Sequence, residues 1–235
     1  MTDQVLTISG LQKTYSALRP MRIQSLSVAP RERVALCGFD TAASEMLVNL
    51  ITGATLPDSG TVQVFGRVTS DISSGDEWLA WLERFGIMSP RAVILEGATL
   101  QQNLALPFTL EIDSIPADVM ERVSALAKEC GIDPGDLGHQ AGSLPTHVRV
   151  RAHLARAVAL GPRLLLIEHP TAGLTEDQRL PLARDIASVV DARGAAALLM
   201  TTDVEFAEAA AHRSLALQPA TGALAPWKKK RGWFR

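Results

Sequence analysis

The segment RAHLARAVALGPRLLLIEHPTAGL, residues 151–174, contains a helix pattern, a stop signal and a buried-strand pattern in direct succession. The helix pattern starts upstream at THVRV, and Gly161-Pro162 predicts its end because proline cannot continue a helix. The next six residues, RLLLIE (163–168), form an apolar run that ends in an acid. Such a run predicts a strand buried on both faces, which is typical of a parallel sheet covered by helices.

The rest of the chain repeats this alternation. RVALCG and AAALLMTT predict further buried strands, and RSLALQ predicts a last one. Near the N-terminus, VLTISGL (5–11), MRIQSLSV (21–28) and TVQVFG (61–66) instead alternate apolar and polar residues, as half-buried strands do. We therefore predict an α/β fold in which a parallel sheet lies beside an antiparallel layer. The helix patterns cover residues 75–86, 99–131 with an interruption at 105–116, 146–162, 175–194 and 204–212.

The composition is that of a globular protein with a large core. The 235 residues are 47% hydrophobic and 20% charged. No apolar run is long enough to span a bilayer, and no signal peptide pattern precedes the first strand. Cys37 and Cys130 stand alone without metal-ligand spacing, which favours buried free thiols in a reducing compartment. We therefore expect a cytoplasmic protein.

The segment LCGFDTAASEML (36–47) lies where a phosphate-binding loop would be, between a buried strand and a helix. The usual loop, G-x-x-x-x-G-K-[ST], places its lysine on the phosphates and its hydroxyl on Mg²⁺. Here Gly38 opens the loop, but Ala43, Ser44 and Glu45 stand at the second glycine, the lysine and the hydroxyl. Ser44 supplies no cation, and Glu45 would either ligate a metal directly or repel a triphosphate.

Residues 151–174 resemble the ATP-binding subunit of ABC transporters. That family has a helix R-x-x-L-A-R-A-L, a strand ending in D-E-P, and then T-x-x-L-D. The resemblance continues in order through LQKTYSALRP, LITGATLPDSGTVQVFG, TLQQNLALP and LLMTTDVEFAEA. It implies a P-loop NTPase-like parallel sheet flanked by helices, with an N-terminal antiparallel β layer. The implied domain covers 1–225, with a helical subdomain at about 90–160. The residues that match the three motifs are Arg151, Leu154, Ala155, Arg156, Ala157, Pro170, Thr171, Gly173 and Leu174.

The resemblance also implies ATP and Mg²⁺ as cofactors, and it assigns candidate residues to them. Glu45 and Glu168 are the candidate magnesium ligands. Glu168, His169 and Thr202 stand at catalytic positions. The candidate nucleotide-contacting residues are Tyr15, Gly38, Thr41, Ala42, Ala43, Ser44, Glu45 and Met46.

The polar residues that catalysis uses in the family are replaced here. The strand end D-E reads Glu168-His169, so either a neutral His169 accepts the proton or the base is absent. Thr202 stands at the switch histidine, beside Asp203, and Thr175 stands at the aspartate of T-x-x-L-D. In place of a glutamine, SPRAV offers Ser89, Pro90 or Arg91. We therefore expect degenerate motifs with weak or absent hydrolysis.

The family's signature loop, L-S-G-G-Q, aligns with Leu144-Pro145-Thr146-His147-Val148. Pro145 removes a backbone donor, and Thr146 and His147 add bulk where glycines let the backbone approach the γ-phosphate. In the family each ATP lies between the phosphate loop of one chain and the signature of the other. A homodimer of this chain would therefore have two doubly defective sites, and a heterodimer with an intact ATPase subunit would have one defective half in each site.

The C-terminal stretch PWKKKRGWFR (226–235) holds five of the 23 basic residues and no acid. Such a basic aromatic tail either binds an anionic membrane surface or is a solvated extension. Because the rest of the chain is acidic, we expect no nucleic-acid partner. A peripheral location at the inner face of a membrane, beside a permease subunit, fits the resemblance.

Three functions stay open from the sequence. The first is an energising or scaffolding subunit of a transporter that binds nucleotide weakly. The second is a working ATPase that uses Glu45, Glu168 and His169 in altered roles. The third is an interaction module that keeps the fold without nucleotide. We expect the loop to be ordered without a ligand, with a carboxylate, Asp40 or Glu45, capping the free N–H groups of the helix after Gly38 and partly standing in for the phosphate. The alternative is that Glu45 points to solvent and that packing alone stabilises the loop.

Overall fold

The computed structural model describes residues 4–17 and 19–227 of the chain. The strands are β1 (Leu6–Lys13), β2 (Met21–Val28), β3 (Arg33–Cys37), β4 (Ser59–Val64), β5 (Arg67–Val68), β6 (Phe85–Met88), β7 (Leu164–Glu168), β8 (Ala196–Thr201), β9 (Arg213–Gln218) and β10 (Ala223–Pro226). The α-helices are α1 (Thr41–Thr52), α2 (Gly75–Leu82), α3 (Leu100–Ala105), α4 (Ala117–Glu129), α5 (Thr146–Val158), α6 (Glu176–Ala192) and α7 (Val204–Ala210).

These strands form two sheets. The antiparallel sheet has the order β2-β1-β4-β5, and the larger sheet has the order β10-β9-β3-β8-β7-β6. The five strands from β9 to β6 run parallel. The predicted α/β class, with a parallel sheet and an antiparallel layer, is therefore confirmed.

The strand β10 is a difference from the sequence prediction. It pairs antiparallel with β9 and makes the larger sheet mixed. Its sequence, ALAP, has no alternation that would predict a strand, and its proline is tolerated because the strand lies at the sheet edge. Pro226, which we assigned to the tail, thus ends β10, and the Trp227 N–H donates to the Ser214 carbonyl at 2.8 Å. Residues 228–235 of the predicted tail lie outside the described residues.

Three central strands of the mixed sheet, β3, β7 and β8, are buried at every residue. Their apolar sequences explain this, because helices and the second sheet cover both faces. The register pairs Cys37 with Thr201 and Glu168 with Met200, so the carboxyl ends of the three strands are level. Residues that follow these strands therefore meet at one edge of the sheet.

The two faces of the mixed sheet are covered by different layers. One face packs with residues of α3, α4, α5, α6 and α7 in one hydrophobic cluster. The other face packs with α1 and the antiparallel sheet in a second cluster. Alternate residues of β7 illustrate the division, since Leu165 lies in the first cluster and Leu164 in the second.

The end of α5 lies directly against β6. A Cβ atom at Gly86 would be 2.1 Å from the Ala157 carbonyl oxygen, so a side chain at this position would push the helix away. Gly86 therefore lets β6 pack under α5, and the turn after β6 reaches the carboxyl edge of the sheet.

Candidate nucleotide site

The loop between β3 and α1 is held by its own residues. Gly38 has φ +86°, a left-handed conformation that glycine adopts easily, and its N–H donates to the Thr201 carbonyl at 3.1 Å. Asp40 precedes α1, and its carboxylate accepts from the Ala43 N–H at 2.8 Å. The predicted capping carboxylate is therefore confirmed as Asp40. It satisfies one of the free N–H groups at the start of the helix.

The first two turns of α1 contain six of the eight predicted nucleotide-contacting residues. Thr41 and Ala42 are exposed, whereas Ala43 and Met46 are partly buried and pack against the antiparallel sheet cluster. Ser44 is fully buried. Its side chain therefore points into the protein and not toward the solvent in front of the helix.

Ser44 contacts the residue that follows β7. Its Oγ lies 3.1 Å from Nε2 of His169. His169 has φ +44°, an uncommon value for a residue with a side chain, and its N–H donates to the Met200 carbonyl at 2.9 Å. The positions that we aligned with the lysine of the loop and with the catalytic carboxylate are thus joined to each other.

Arg91 links the two acids of the site. Its Nη1 is 2.5 Å from Glu45 Oε1, and its Nη2 is 2.8 and 3.0 Å from the two carboxylate oxygens of Glu168. The turn after β6 holds Arg91, because the Arg91 N–H donates to the Ser89 hydroxyl at 3.2 Å. Glu45 therefore neither caps α1 nor points free into solvent.

The sequence did not predict Arg91 as the partner of these acids. Within SPRAV, Arg91 is one of three residues that stand where the resemblance implies a glutamine. Its charge is the feature of the sequence that could have predicted the pairing. An arginine in place of a neutral glutamine can pair with acids that the fold brings near it. That pairing required Glu45 and Glu168 to be placed near the same turn, which only the fold does.

The candidate magnesium ligands do not fit a metal in this arrangement. Glu45 and Glu168 both pair with the Arg91 guanidinium, and the Ser44 hydroxyl is engaged by His169. Over residues 4–17 and 19–227, no three His, Cys, Asp or Glu side chains converge as metal ligands. The chain thus supplies a cation where we expected Mg²⁺ between these residues.

Tyr15 lies close to the phosphate-loop position. It lines a small cavity of about 160 Å³ together with Gly38, Asp40 and Ala43. Burial, followed by the nearby Asp40 carboxylate, raises the pKa of the Tyr15 hydroxyl. The fold therefore brings the candidate aromatic residue and the loop together.

Glu168 and His169 line a different and larger cleft. It has a volume of about 280 Å³ and also contains Thr146, Arg149 and His153 from α5. The Tyr15 cavity and this cleft have no lining residue in common. The candidate site residues are thus divided between two cavities. Two separate side-chain contacts lie between them, one of Ser44 with His169 and one of Arg91 with Glu45 and Glu168.

The predicted signature residues lie at the start of α5. Leu144 and Val148 are buried, and Pro145 precedes the helix. His147 Nδ1 is 3.3 Å from Gln178 Nε2 of α6. Of the five residues, Thr146 lines the cleft beside Glu168.

Thr202, the residue at the switch position, is exposed directly after β8. Its neighbour Asp203 caps α7 by accepting from the Phe206 N–H at 3.0 Å, and it pairs with Arg179 at 3.3 Å. Thr175 begins α6 in a capping box with Gln178. The structure therefore gives Asp203 and Thr175 local capping roles. Among the described residues, Thr202 makes no side-chain hydrogen bond to Arg91, Glu45 or Glu168.

Across the described ranges, every helix is too short or too polar to cross a bilayer.

The ABC transporter family model matches residues 21–172 of this chain. The lipoprotein-releasing system ATP-binding protein LolD of Maricaulis maris is 30% identical over 212 residues, covering 88% of this chain and 91% of that protein. The Fe(3+) ions import ATP-binding protein FbpC of Mesorhizobium japonicum is 27% identical over 198 residues, which is 84% of this chain. This match spans only 53% of the FbpC protein.

A solved structure has the same fold. The dimeric structure of MJ0796, a bacterial ABC transporter cassette, superposes with a TM-score of 0.77 and 20% identity, covering 97% of this chain and 100% of that one. The family model covers more than half of the sequence. The superposition shows the same fold. The chain therefore belongs to the ABC transporter family.

Proposed function

We propose that this chain is the ATP-binding subunit of an ABC-type transporter with a degenerate nucleotide site. In this proposal ATP hydrolysis is weak or absent, and the chain couples to or scaffolds a membrane permease. The family match supports the nucleotide-binding and transport parts. The contact of Ser44 with His169 carries the degenerate part, because the lysine and the catalytic carboxylate of the family's motifs would stand at these two positions.

The expected loss of affinity follows from charge. A lysine ammonium makes charge-assisted hydrogen bonds to phosphates, each of which contributes about 1.5–3 kcal/mol. The uncharged hydroxyl of Ser44 lacks this contribution, so ATP affinity is lower by roughly one to two powers of ten. The Nε2 atom of His169 is engaged by Ser44, so it would have to leave Ser44 before it could take a proton from an attacking water.

Weak nucleotide binding is supported by what the loop retains. Tyr15 and Gly38 line one cavity in front of the first turn of α1. The carboxylate of Asp40 accepts a hydrogen bond from one of the N–H groups there, that of Ala43. We assign nucleotide contacts to the residues proposed from the sequence, Tyr15, Gly38, Thr41, Ala42, Ala43, Ser44, Glu45 and Met46.

A groove between α2, β6 and α5 supports the permease partner. It includes Leu79 and Leu160, which are 59% and 61% exposed. Exposed apolar surface of this kind is typical of sites that bind another protein. Docking of a permease there would hold this chain at the inner face of the membrane, in the cytoplasm.

The domain and dimer assignments belong to the same proposal. We assign residues 1–225 to one nucleotide-binding domain and about 90–160 to its helical subdomain, since α3, α4 and α5 contact each other. Pairing as a homodimer, or as a heterodimer with another ABC ATPase subunit, is supported by the family. In either case the residues Leu144 to Val148 would supply the signature half of the partner's site.

A second candidate function is an interaction module that binds no nucleotide. The size of the Tyr15 cavity favours it, because about 160 Å³ lies below the roughly 300–1,000 Å³ of common small-molecule sites. The contacts of Arg91 favour it too, since both acids of the site already pair with a cation of the chain.

Two measurements on the purified chain test these functions. We expect equilibrium titration with fluorescently labelled ATP and Mg²⁺ to show weak, saturable binding, and a phosphate-release assay to show turnover near background. Saturable binding without turnover supports the proposed subunit, whereas no binding supports the interaction module. Turnover well above background would contradict both and would support a working ATPase with altered residues.

A further inference from the structure

One guanidinium lies between two carboxylates at the carboxyl edge of the mixed sheet. Arg91 Nη1 contacts Glu45 Oε1 at 2.5 Å, and Arg91 Nη2 contacts both oxygens of Glu168 at 2.8 and 3.0 Å. The three residues come from α1, from the turn after β6 and from the end of β7. A single cation therefore joins three separate elements of the fold.

Glu168 is the member that requires this cation. Its side chain is 1% exposed, whereas the side chains of Arg91 and Glu45 are 39% and 44% exposed. A buried carboxylate is costly unless it is paired and hydrogen-bonded. The planar guanidinium meets that need, because it donates to both oxygens of one carboxylate and still reaches the other.

A divalent ion in the same place would need the same oxygen atoms. Mg²⁺ takes its oxygen ligands at about 2.0–2.1 Å in near-octahedral geometry. Glu168 presents both of its oxygens to the guanidinium, and Glu45 presents Oε1. The guanidinium and the ion would also repel each other at this distance. The two cations are therefore alternatives, and this chain carries one of them in its own sequence.

We propose that Arg91 is a built-in cation that occupies the place between Glu45 and Glu168 and keeps divalent metal ions out of it. Loss of the guanidinium, with both carboxylates kept, opens a two-carboxylate metal site. A consequence for nucleotide, which rests on the proposed function, is that ATP affinity does not depend on Mg²⁺. The reason is that the chain's own metal ligands are already engaged.

A titration with Mn²⁺, without nucleotide, tests the proposal through the electron paramagnetic resonance signal of the free ion. We expect the wild-type chain to show no binding below about 1 mM, the range of the weakest protein sites for divalent cations. We expect Arg91→Gln and Arg91→Ala to bind one Mn²⁺ at least about tenfold more tightly. The double variant Arg91→Gln with Glu45→Gln returns to wild-type behaviour. Arg184→Gln, which removes an exposed arginine from α6, behaves as wild type.

Two results would overturn the proposal. One is a wild-type chain that binds Mn²⁺ as tightly as Arg91→Gln. The other is an Arg91 variant with native circular dichroism that gains no affinity. Loss of Arg91 leaves the buried carboxylate of Glu168 without its cation and so destabilises the fold. A second measurement therefore uses the wild-type chain alone. Its melting temperature should not rise with Mn²⁺, and a rise that Glu45→Gln abolishes would contradict the proposal.

The nucleotide consequence has a separate test. ATP affinity of the wild-type chain should agree within about twofold in Mg²⁺ and in EDTA, whereas the affinity of Arg91→Gln should increase with Mg²⁺. If the wild-type chain binds no ATP in either buffer, the nucleotide part of the proposed function fails. The Mn²⁺ titrations still decide whether Arg91 excludes the metal.

Discussion

The hydroxyl of Ser44 lies 3.1 Å from Nε2 of His169, although 125 residues separate them in the sequence. This contact joins the first turn of α1 to the end of β7, and Arg91 links the same two elements through Glu45 and Glu168. The side chains of Ser44 and Glu45 therefore have partners within the chain, without a ligand.

Replacement of His169 by alanine should leave phosphate release unchanged. Ser44 engages the Nε2 atom of His169, and a histidine stands where the resemblance implies the catalytic carboxylate, so under the proposed function the parent turns over near background. The measurement is a phosphate-release assay on both proteins, with Thr202→Ala as a control at the switch position. A measurable wild-type rate that disappears in His169→Ala would show that the histidine acts as the base.

The double substitution Ser44→Lys with Glu45→Ser should raise ATP affinity at least tenfold, or by about 1.4 kcal/mol. It supplies the missing ammonium and hydroxyl and removes an anion from the site. Hydrolysis should stay at background because His169 is unchanged. Ser25→Lys, an exposed position on β2, controls for the added charge. Unchanged affinity in the double variant would mean that the backbone of the loop, and not its side chains, blocks the nucleotide.

Asp40→Ala should lower the free energy of unfolding by about 1 kcal/mol, the typical cost of losing a helix N-cap. Asp40→Asn should cost much less, because asparagine can accept the same hydrogen bond from Ala43. Urea unfolding of the three proteins measures the difference. Equal stabilities of Asp40→Ala and the parent would show that the cap does not stabilise α1.

The chain has one tyrosine, so Asp40→Asn has a second readout. The Asp40 carboxylate is the smaller of two causes that raise the pKa of Tyr15, after burial. Removal of this charge should lower the pKa of Tyr15, and ultraviolet absorbance of the phenolate reports it. No change would place Asp40 too far from Tyr15 in solution to act on it.

His153 should make stability fall as pH falls from about 6.5 to about 4. Burial, then the charges of Arg156 and Arg149, lower the pKa of His153 from 6.5 to about 4, and its Nδ1 has no hydrogen-bond partner among the described residues. In this window the unfolded chain binds a proton that the folded chain does not. The contribution of the neutral imidazole to stability is therefore complete above pH 6.5, the pKa of His153 in the unfolded chain. It is lost as the pH falls toward about 4, the pKa of His153 in the folded chain.

His153→Gln should flatten this part of the pH profile, as measured by urea unfolding at about pH 7 and about pH 5. His139→Gln is the matched control, since it removes an exposed histidine near α3. If the free energy of unfolding of His153→Gln changes with pH as much as that of the parent, other groups cause the pH dependence.

Deletion of residues 228–235 should reduce sedimentation of the chain with anionic vesicles. Each basic residue near such a surface contributes about 1 kcal/mol, and the deleted stretch holds five of them. Added salt should have the same effect as the deletion because it screens the attraction. Neutral vesicles provide the control, and binding that neither treatment alters would leave the tail without a membrane role.

Much of the fold could be predicted from local sequence. The apolar runs at Arg33–Cys37 and Leu164–Glu168 predicted central strands because a buried parallel strand must be apolar on both faces. Gly161-Pro162 predicted the end of the helix before β7, and Asp40 predicted a cap. By contrast, β10 has no local pattern, since an edge strand of four residues is defined by its partner β9.

The candidate site divides in the same way. The sequence by itself, through its resemblance to the family, predicted which residues stand at each motif position, including Ser44 and His169. Only the tertiary structure decided their partners. Arg91 and Glu168 are 77 residues apart, and they meet because β6 and β7 are parallel neighbours whose carboxyl ends lie level at one edge of the sheet. An ion pair between such distant residues depends on strand order and register, which no single stretch of sequence contains.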